Sequence, residues 1–264
     1  MAFGALVTLL NLVLCLAVGT RLLRAGLGPD RRPELALAIY FLASAFLSTV
    51  CQGLVYGGLI DPNIALPARA SHLVLGLGVL GMAVGGAAVF VFTWLSFRRT
   101  ARWARWAAVA GSSLAIGGFF FEALHEGFAV TLYPGPGHWT AWAGRTAPMA
   151  WLTAESLRYW ALLRRRLRLG LADPVVVNRF LLWGIWSAAT FVNLAADLIA
   201  RVIYAAMAGP TTEIVVEVVE PVVIGTMAVT MVLGVISAAT LFLTFFPTAG
   251  YRRWLESRSV QRAD

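Results

Sequence analysis

Lysine is absent: every one of the 21 basic residues is an arginine. A retinal-based light sensor needs a lysine amine for its Schiff base, so that function is excluded, and no other cofactor is expected. Charge of either sign is scarce, at 13% of the 264 residues, while 59% are hydrophobic. Soluble domains carry about 25% charged residues, so the apolar excess here must face lipid. Cysteine is nearly missing. Cys15 and Cys51 lie in apolar runs at depths that differ by more than ~10 Å on a helical rise, which argues against a disulfide. Both read as small buried hydrophobes. The start has no positive n-region, so the first apolar run is expected to stay as an uncleaved helix. No Ser-His-Asp order, glycine-rich phosphate loop or CxxC pair occurs, and the glycines at Gly76, Gly78, Gly81, Gly85 and Gly86 sit at helical spacing in an apolar run.

What is present is a series of apolar stretches long enough to cross a bilayer, which needs about 20 residues as a helix. Spans are expected over 2–23, 34–60, 71–97, 106–127, 143–163, 180–204 and 212–246, forming one all-α, polytopic seven-transmembrane-helix domain over 1–246. A short basic cytoplasmic tail, 247–264, follows. Turn chemistry separates the spans: Gly28-Pro29, Asp61-Pro62, Tyr133-Pro-Gly-Pro-Gly137, Gly209-Pro210. Gly170 reads as a helix stop and Asp173-Pro174 as an N-cap with proline at the first helical position. Pro221 reads as a kink or a fresh start. Trp139 and Trp142 fit an interfacial belt. Gly81 and Gly85 form a small-xxx-small pair, read as an internal packing face.

The arginines set an orientation. Arg21, Arg24, Arg31 and Arg32 follow span one; Arg98, Arg99, Arg102 and Arg105 join spans three and four. Arg164, Arg165, Arg166, Arg168 and Arg179 join spans five and six, and Arg252, Arg253, Arg258 and Arg262 lie in the tail. Only Arg69, Arg145 and Arg201 belong to the opposite side, a 17-to-3 split. Basic loops stay in the cytoplasm, which places the N-terminus outside and the C-terminus inside a bacterial inner membrane. The net charge of +8 is therefore explained by topology, and no nucleic-acid partner is expected. Arg164, Arg165, Arg166 and Arg168 are the expected inner-face contact for anionic lipid head groups or a cytoplasmic signalling partner.

Ionisable residues inside spans are costly, and so mark candidate sites. Glu155 and Arg158 on span five have the i,i+3 spacing of an intramembrane ion pair. The pair reads either as structural or as a centre that changes protonation. Asn193, Asp197 and Arg201 share one face of span six, and Asp197 can pair with Arg201 or with Arg145. Glu122, His125 and Glu126 share a face of span four; Glu213, Glu217 and Glu220 share one at the start of span seven. Together they outline an acidic, histidine-containing outer mouth. Glu122, His125, Glu126 and His138, with His72 on the same side, are weak metal-ligand candidates: Glu-x-x-His suits a di-iron bundle, but two copies are needed. No metal is expected.

Three passages carry a resemblance: Arg31-Arg32-Pro33-Glu34; Phe92-Thr93-Trp94 with Phe97-Arg98-Arg99 and Trp103-Ala104-Arg105; and Glu155-Ser-Leu-Arg158-Tyr-Trp through Asp173-Pro174 to Asn178-Arg179-Phe180. With this layout the chain resembles bacterial seven-helix sensor modules of some histidine kinases and cyclases. It also resembles stand-alone bacterial seven-transmembrane-helix proteins of uncharacterised function. The resemblance implies a sensor or receptor, here with only about 18 residues after span seven and no output domain of its own. The expected function is binding of a small or lipid-like ligand in the outer half, lined by Asn193, Asp197, Arg201, Glu122, His125 and Arg145. Two other classes stand beside it: a proton-coupled small-solute carrier using Glu155, and a metal-dependent hydrolase at the outer rim.

Overall fold

A computed structural model describes residues 2–28, 31–60, 63, 65–125, 127–128, 135–208 and 216–260. Among them there is no β-strand, as expected where each backbone N–H and C=O must be satisfied within its own segment. The helices are α1 (Ala2–Gly26), α2 (Arg32–Ile39), a wider π-helical stretch (Tyr40–Ser48), α3 (Thr49–Ile60), α4 (Ala68–Phe97), α5 (Arg102–His125), α6 (Pro136–Leu167), α7 (Pro174–Ala208), α8 (Val216–Phe245) and α9 (Ala249–Val260). Six stretches are long and apolar enough to cross a membrane: Gly4–Gly26, Arg32–Gly58, Ala68–Phe97, Arg102–His125, Pro174–Ile203 and Ile224–Phe245. Their outward faces carry exposed Leu9, Leu77, Trp106, Ile199 and Val232. This is the pattern of a multi-pass membrane protein. α6, with Arg145, Glu155 and Arg158, is not among the six.

Every expected span falls in a helical stretch, but several ends move. α6 starts at Pro136 instead of residue 143, because proline at the first helical position is pre-set for a helix and its missing N–H would be unpaired there anyway. His138, Trp139 and Trp142 are thus helical. The described part of the helix expected over 212–246, Val216–Phe245, runs on through Pro221 without a new start; 212–215 lie outside the described residues. The tail forms α9, begun by Thr248, whose hydroxyl accepts the Tyr251 N–H at 3.3 Å. Asn178 Nδ2 donates to the Tyr251 hydroxyl at 2.6 Å and ties α9 to α7.

The turn from α6 to α7 is built as its residues dictate. Gly170 takes φ +68°, a left-handed conformation that costs glycine little. The Leu171 N–H reaches Arg166 O at 3.0 Å and the Gly170 N–H reaches Leu167 O at 3.1 Å, closing a Schellman motif. Asp173 Oδ1 then accepts the Val175 N–H at 2.8 Å as the cap of α7. Arg164, Arg165, Arg166 and Arg168 all point outward.

α4 is the axis of the bundle: 61% of its apolar window is buried, against 22–39% for the other five. Small residues allow this. A Cβ on Gly81 would sit 2.5 Å from Ala43 O of the π-helical stretch, and one on Gly86 2.6 Å from Gly144 O of α6. The Gly81/Gly85 pair is therefore an internal packing face. α6 runs parallel to α4, since Gly86 meets Gly144 and Arg98 meets Glu155. α5 lies antiparallel to both, with Ser112 bonded to Ala87 O and Gly118 against Ala141. α1 runs parallel to α8: Gly4 faces Met231, Asn11 donates to Gly234 O at 3.0 Å, and Arg21 donates to Phe245 O at 2.8 Å. Phe41, Trp186, Tyr40 and Phe245 interlock at the core, with ring centroids 5.3–6.1 Å apart. Cys15 and Cys51 are buried and free.

Candidate functional site

Polar side chains gather in two layers, whose α6 members Arg145 and Glu155 are ten residues apart, roughly 15 Å along the helix. The first layer lies at the arginine-rich end. Arg98, one residue past α4, donates from Nε to Glu155 Oε1 at 2.8 Å. The Glu155 side chain is 9% exposed and that of Arg98 24%. The hydrogen bond to Glu155 holds the Arg98 guanidinium above its ordinary pKa, although partial burial pulls the other way. The guanidinium also lies 5.7 Å from the centre of the Trp103 ring. This corrects the expected partner: Arg158 is exposed, while Arg98 is fixed by the end of α4 at the depth of the carboxylate. Glu155 thus has its partner at the end of α4 and not one turn away on its own helix.

The second layer occupies the far end. Glu122, in the last turn of α5, is buried and lies 3.8 Å from His138 Nδ1 in the first turn of α6, too far for a hydrogen bond. Glu122 Oε2 and His138 Nε2 are both buried with no hydrogen-bond partner among the described residues. Arg145, one face of α6 deeper, donates from Nε to Ala141 O at 3.2 Å and points NH1 at Met82 Sδ, 2.9 Å away. The ionisable groups whose fields reach it are Glu122, Arg201, Asp197 and Tyr56. On α7, Arg201 Nε donates to Asp197 Oδ2 at 3.0 Å, with the aspartate side chain 49% exposed. One turn away, Asn193 Oδ1 is buried and unpartnered. Trp142 Nε1 donates to Leu194 O at 3.2 Å and braces α6 against α7 beside it, a strut where a belt residue was expected.

Of the expected residues, Glu122, His138, Arg145, Asn193, Asp197 and Arg201 thus line one end of α5, α6 and α7. Arg145 lies nine residues inside α6, not at a span end, because that helix starts early. His125 does not join them: it is exposed, its Nδ1 sits 3.0 Å from Phe121 O, and its ring lies on Phe121. His72 pairs instead with Gly127 O at 3.1 Å. Glu126 and Glu213, and the side chains of Glu217 and Glu220, lie outside the described residues. Among the described residues no three His, Cys, Asp or Glu side chains converge as a metal site would require. Tyr56, Met82 and Gln52, which donates to Met82 Sδ at 3.5 Å, were not anticipated. Gln52 was the readable signal, an amide inside an apolar run; Met82 carried none.

The turn beside Glu122 is strained. Its carbonyl accepts the Gly127 N–H at 3.1 Å, and Phe128 follows with φ +57°, a region bulky residues rarely occupy. Stacking on Phe119, with centroids 5.3 Å apart, holds it there. Such strain persists only where surrounding structure over-determines it.

Compared with known proteins, the chain finds no matching family model, no matching curated protein and no matching solved structure.

Proposed function

We propose that this is a seven-helix receptor of a bacterial inner membrane, with its N-terminus outside and its C-terminus in the cytoplasm. It binds a small or lipid-like ligand between α5, α6 and α7, in the outer half of the bundle. Support for seven crossings rather than six comes from direction. α1 and α8 are parallel, which an even number of alternating passes would not give, and α6 packs alongside α4 from Gly86 to Arg98. The 17 arginines of one side support the orientation. The sensor-like passages fit the same class.

The observation that carries the ligand site is the set of unspent polar atoms at Glu122 Oε2, His138 Nε2 and Asn193 Oδ1. A buried polar atom without a partner costs about 1–3 kcal/mol, so natural proteins rarely leave several together unless something else satisfies them. Arg145 adds a cation whose nearest polar contacts, Ala141 O and Met82 Sδ, carry no charge. A ligand with two hydrogen-bond donors, for Glu122 Oε2 and Asn193 Oδ1, a polar group for His138 Nε2 and an anionic group for Arg145 matches this set. The test is a thermal-shift screen of small carboxylates, amines and amphiphiles on the purified chain, beside the Glu122→Met/His138→Phe variant. A compound that stabilises the wild type and not the variant is the expected result. Equal shifts in both, or none in the wild type, would sink the site.

A further inference from the structure

A cleft of about 250 Å³ opens at the arginine-rich end, between the start of α2 and the end of α4. Arg32, Pro33, Trp94, Leu95 and Arg99 line it. We propose that this cleft binds a phosphate-bearing anion, with the head group of an acidic phospholipid as the source its position favours. The inference rests on the helices lying in a membrane and not on the ligand site at the far end.

Four observations meet there. Arg32 and Arg99 come from different elements, are both exposed, and make no ion pair among the described residues. Arg98, next in sequence, is occupied by Glu155, so the second arginine of the pair is the one left for the cleft. α2 begins at the cleft with no side-chain cap: Arg31 at its N-cap offers no oxygen, and although Pro33 has no N–H and Glu34 shares the first turn, the helix dipole there still favours an anion. Trp94 Nε1 is buried without an acceptor, a further donor on a residue of the same wall. No carboxylate among the described residues lines the cleft, and the acid of the α2 first turn, Glu34, is not part of its wall. Guanidinium donors fit phosphate oxygens in a bidentate manner, and Pro33 and Leu95 supply an apolar flank for the glycerol and first acyl carbons. Basic pockets between helices at a cytoplasmic rim have the right charge for anionic head groups. The cleft also explains why two of the sensor-like passages, Arg31-Arg32-Pro33-Glu34 and Trp94 through Arg99, belong together: they form its two sides.

The full chain is purified in neutral detergent, and its melting temperature and bound lipid (by native mass spectrometry) are measured with phosphatidylglycerol, with phosphatidylcholine and with inorganic phosphate. Phosphatidylglycerol is expected to raise the melting temperature and to remain bound as a discrete adduct, while phosphatidylcholine does neither. Arg32→Gln/Arg99→Gln loses both effects; Arg252→Gln/Arg253→Gln, which removes the same charge from α9, keeps them. An equal shift with millimolar inorganic phosphate, abolished by the same variant, upholds the anion site and assigns it to the free ion. The proposal is overturned if the two double variants lose the effects equally, or if Arg32→Gln/Arg99→Gln retains them. Should that double variant not fold, Arg99→Gln alone carries the test, since Arg99 is exposed, with the same two outcomes.

Discussion

The two polar layers use the same kinds of residue and reach opposite states. At the arginine-rich end a buried carboxylate meets a guanidinium at 2.8 Å, with a tryptophan ring beside the cation. At the far end a buried carboxylate faces an imidazole across 3.8 Å, and both groups keep an atom with nothing to bond. The first arrangement is finished; it holds α4 and α6 in register. The second holds buried polar atoms beside the half-exposed Asp197. On the reading proposed above, the completed bonds are structural and the incomplete ones await a ligand.

The sharpest way to break that contrast is to unpair the finished layer. Glu155→Ala leaves Arg98 without its carboxylate, and the loss expected is about 2–3 kcal/mol, read as a fall in melting temperature in detergent. An unchanged transition would remove the structural role. The unfinished layer predicts the opposite sign. Glu122→Met with His138→Phe removes two buried polar atoms without hydrogen-bond partners among the described residues, at the loss of a 3.8 Å contact and of the carboxylate's field on Arg145, so the ligand-free protein is expected to hold its stability or to gain up to about 1 kcal/mol. A clear loss would mean that the pair is a structural element after all.

Two smaller effects bracket these. Tyr251→Phe removes the Asn178 contact and should cost about 1 kcal/mol locally. Amide exchange in α9 is the measurement: it should speed up while the core of α4 is unaffected. Asp197→Ala breaks a half-exposed pair within one helix, worth about 0.5 kcal/mol or less, and should barely move the melting temperature. A large effect there would place Asp197 among the satisfied, structural charges.

Much of the architecture was legible because lipid imposes one rule on every span. Apolar runs of about 20 residues, broken by Gly-Pro turns, mark helices whatever their neighbours. Gly170 and Asp173-Pro174 were readable for a similar reason: their roles are local, set by φ and by a single side-chain cap. The start of α6 was placed too late because Pro136 looked like loop chemistry, although the same residue opens a helix. Partner choice was not legible. Arg158 is three residues from Glu155, while Arg98 is 57 away, and only packing of α4 on α6 decides between them. His125 has the helical spacing of a site residue and still turns to Phe121, because spacing fixes a face and not what covers it. The charge-rich α9 was hidden by its short length, and Tyr40–Ser48 carries no marker of its wider turn.

The closure of α1 against α8 has a consequence for how the protein is made. Asn11 leaves the ribosome long before one of its two acceptors, Gly234 O, which is 223 positions later. Arg21 likewise waits for Phe245 O, at the C-terminal end of the last long helix. Until then an amide in α1 has only the carbonyl of Val7 within its own helix. The locking of α1 therefore comes late: its partners on α8 are made more than 200 residues after it, and a ribosome stalled before residue 234 holds a bundle that has not closed.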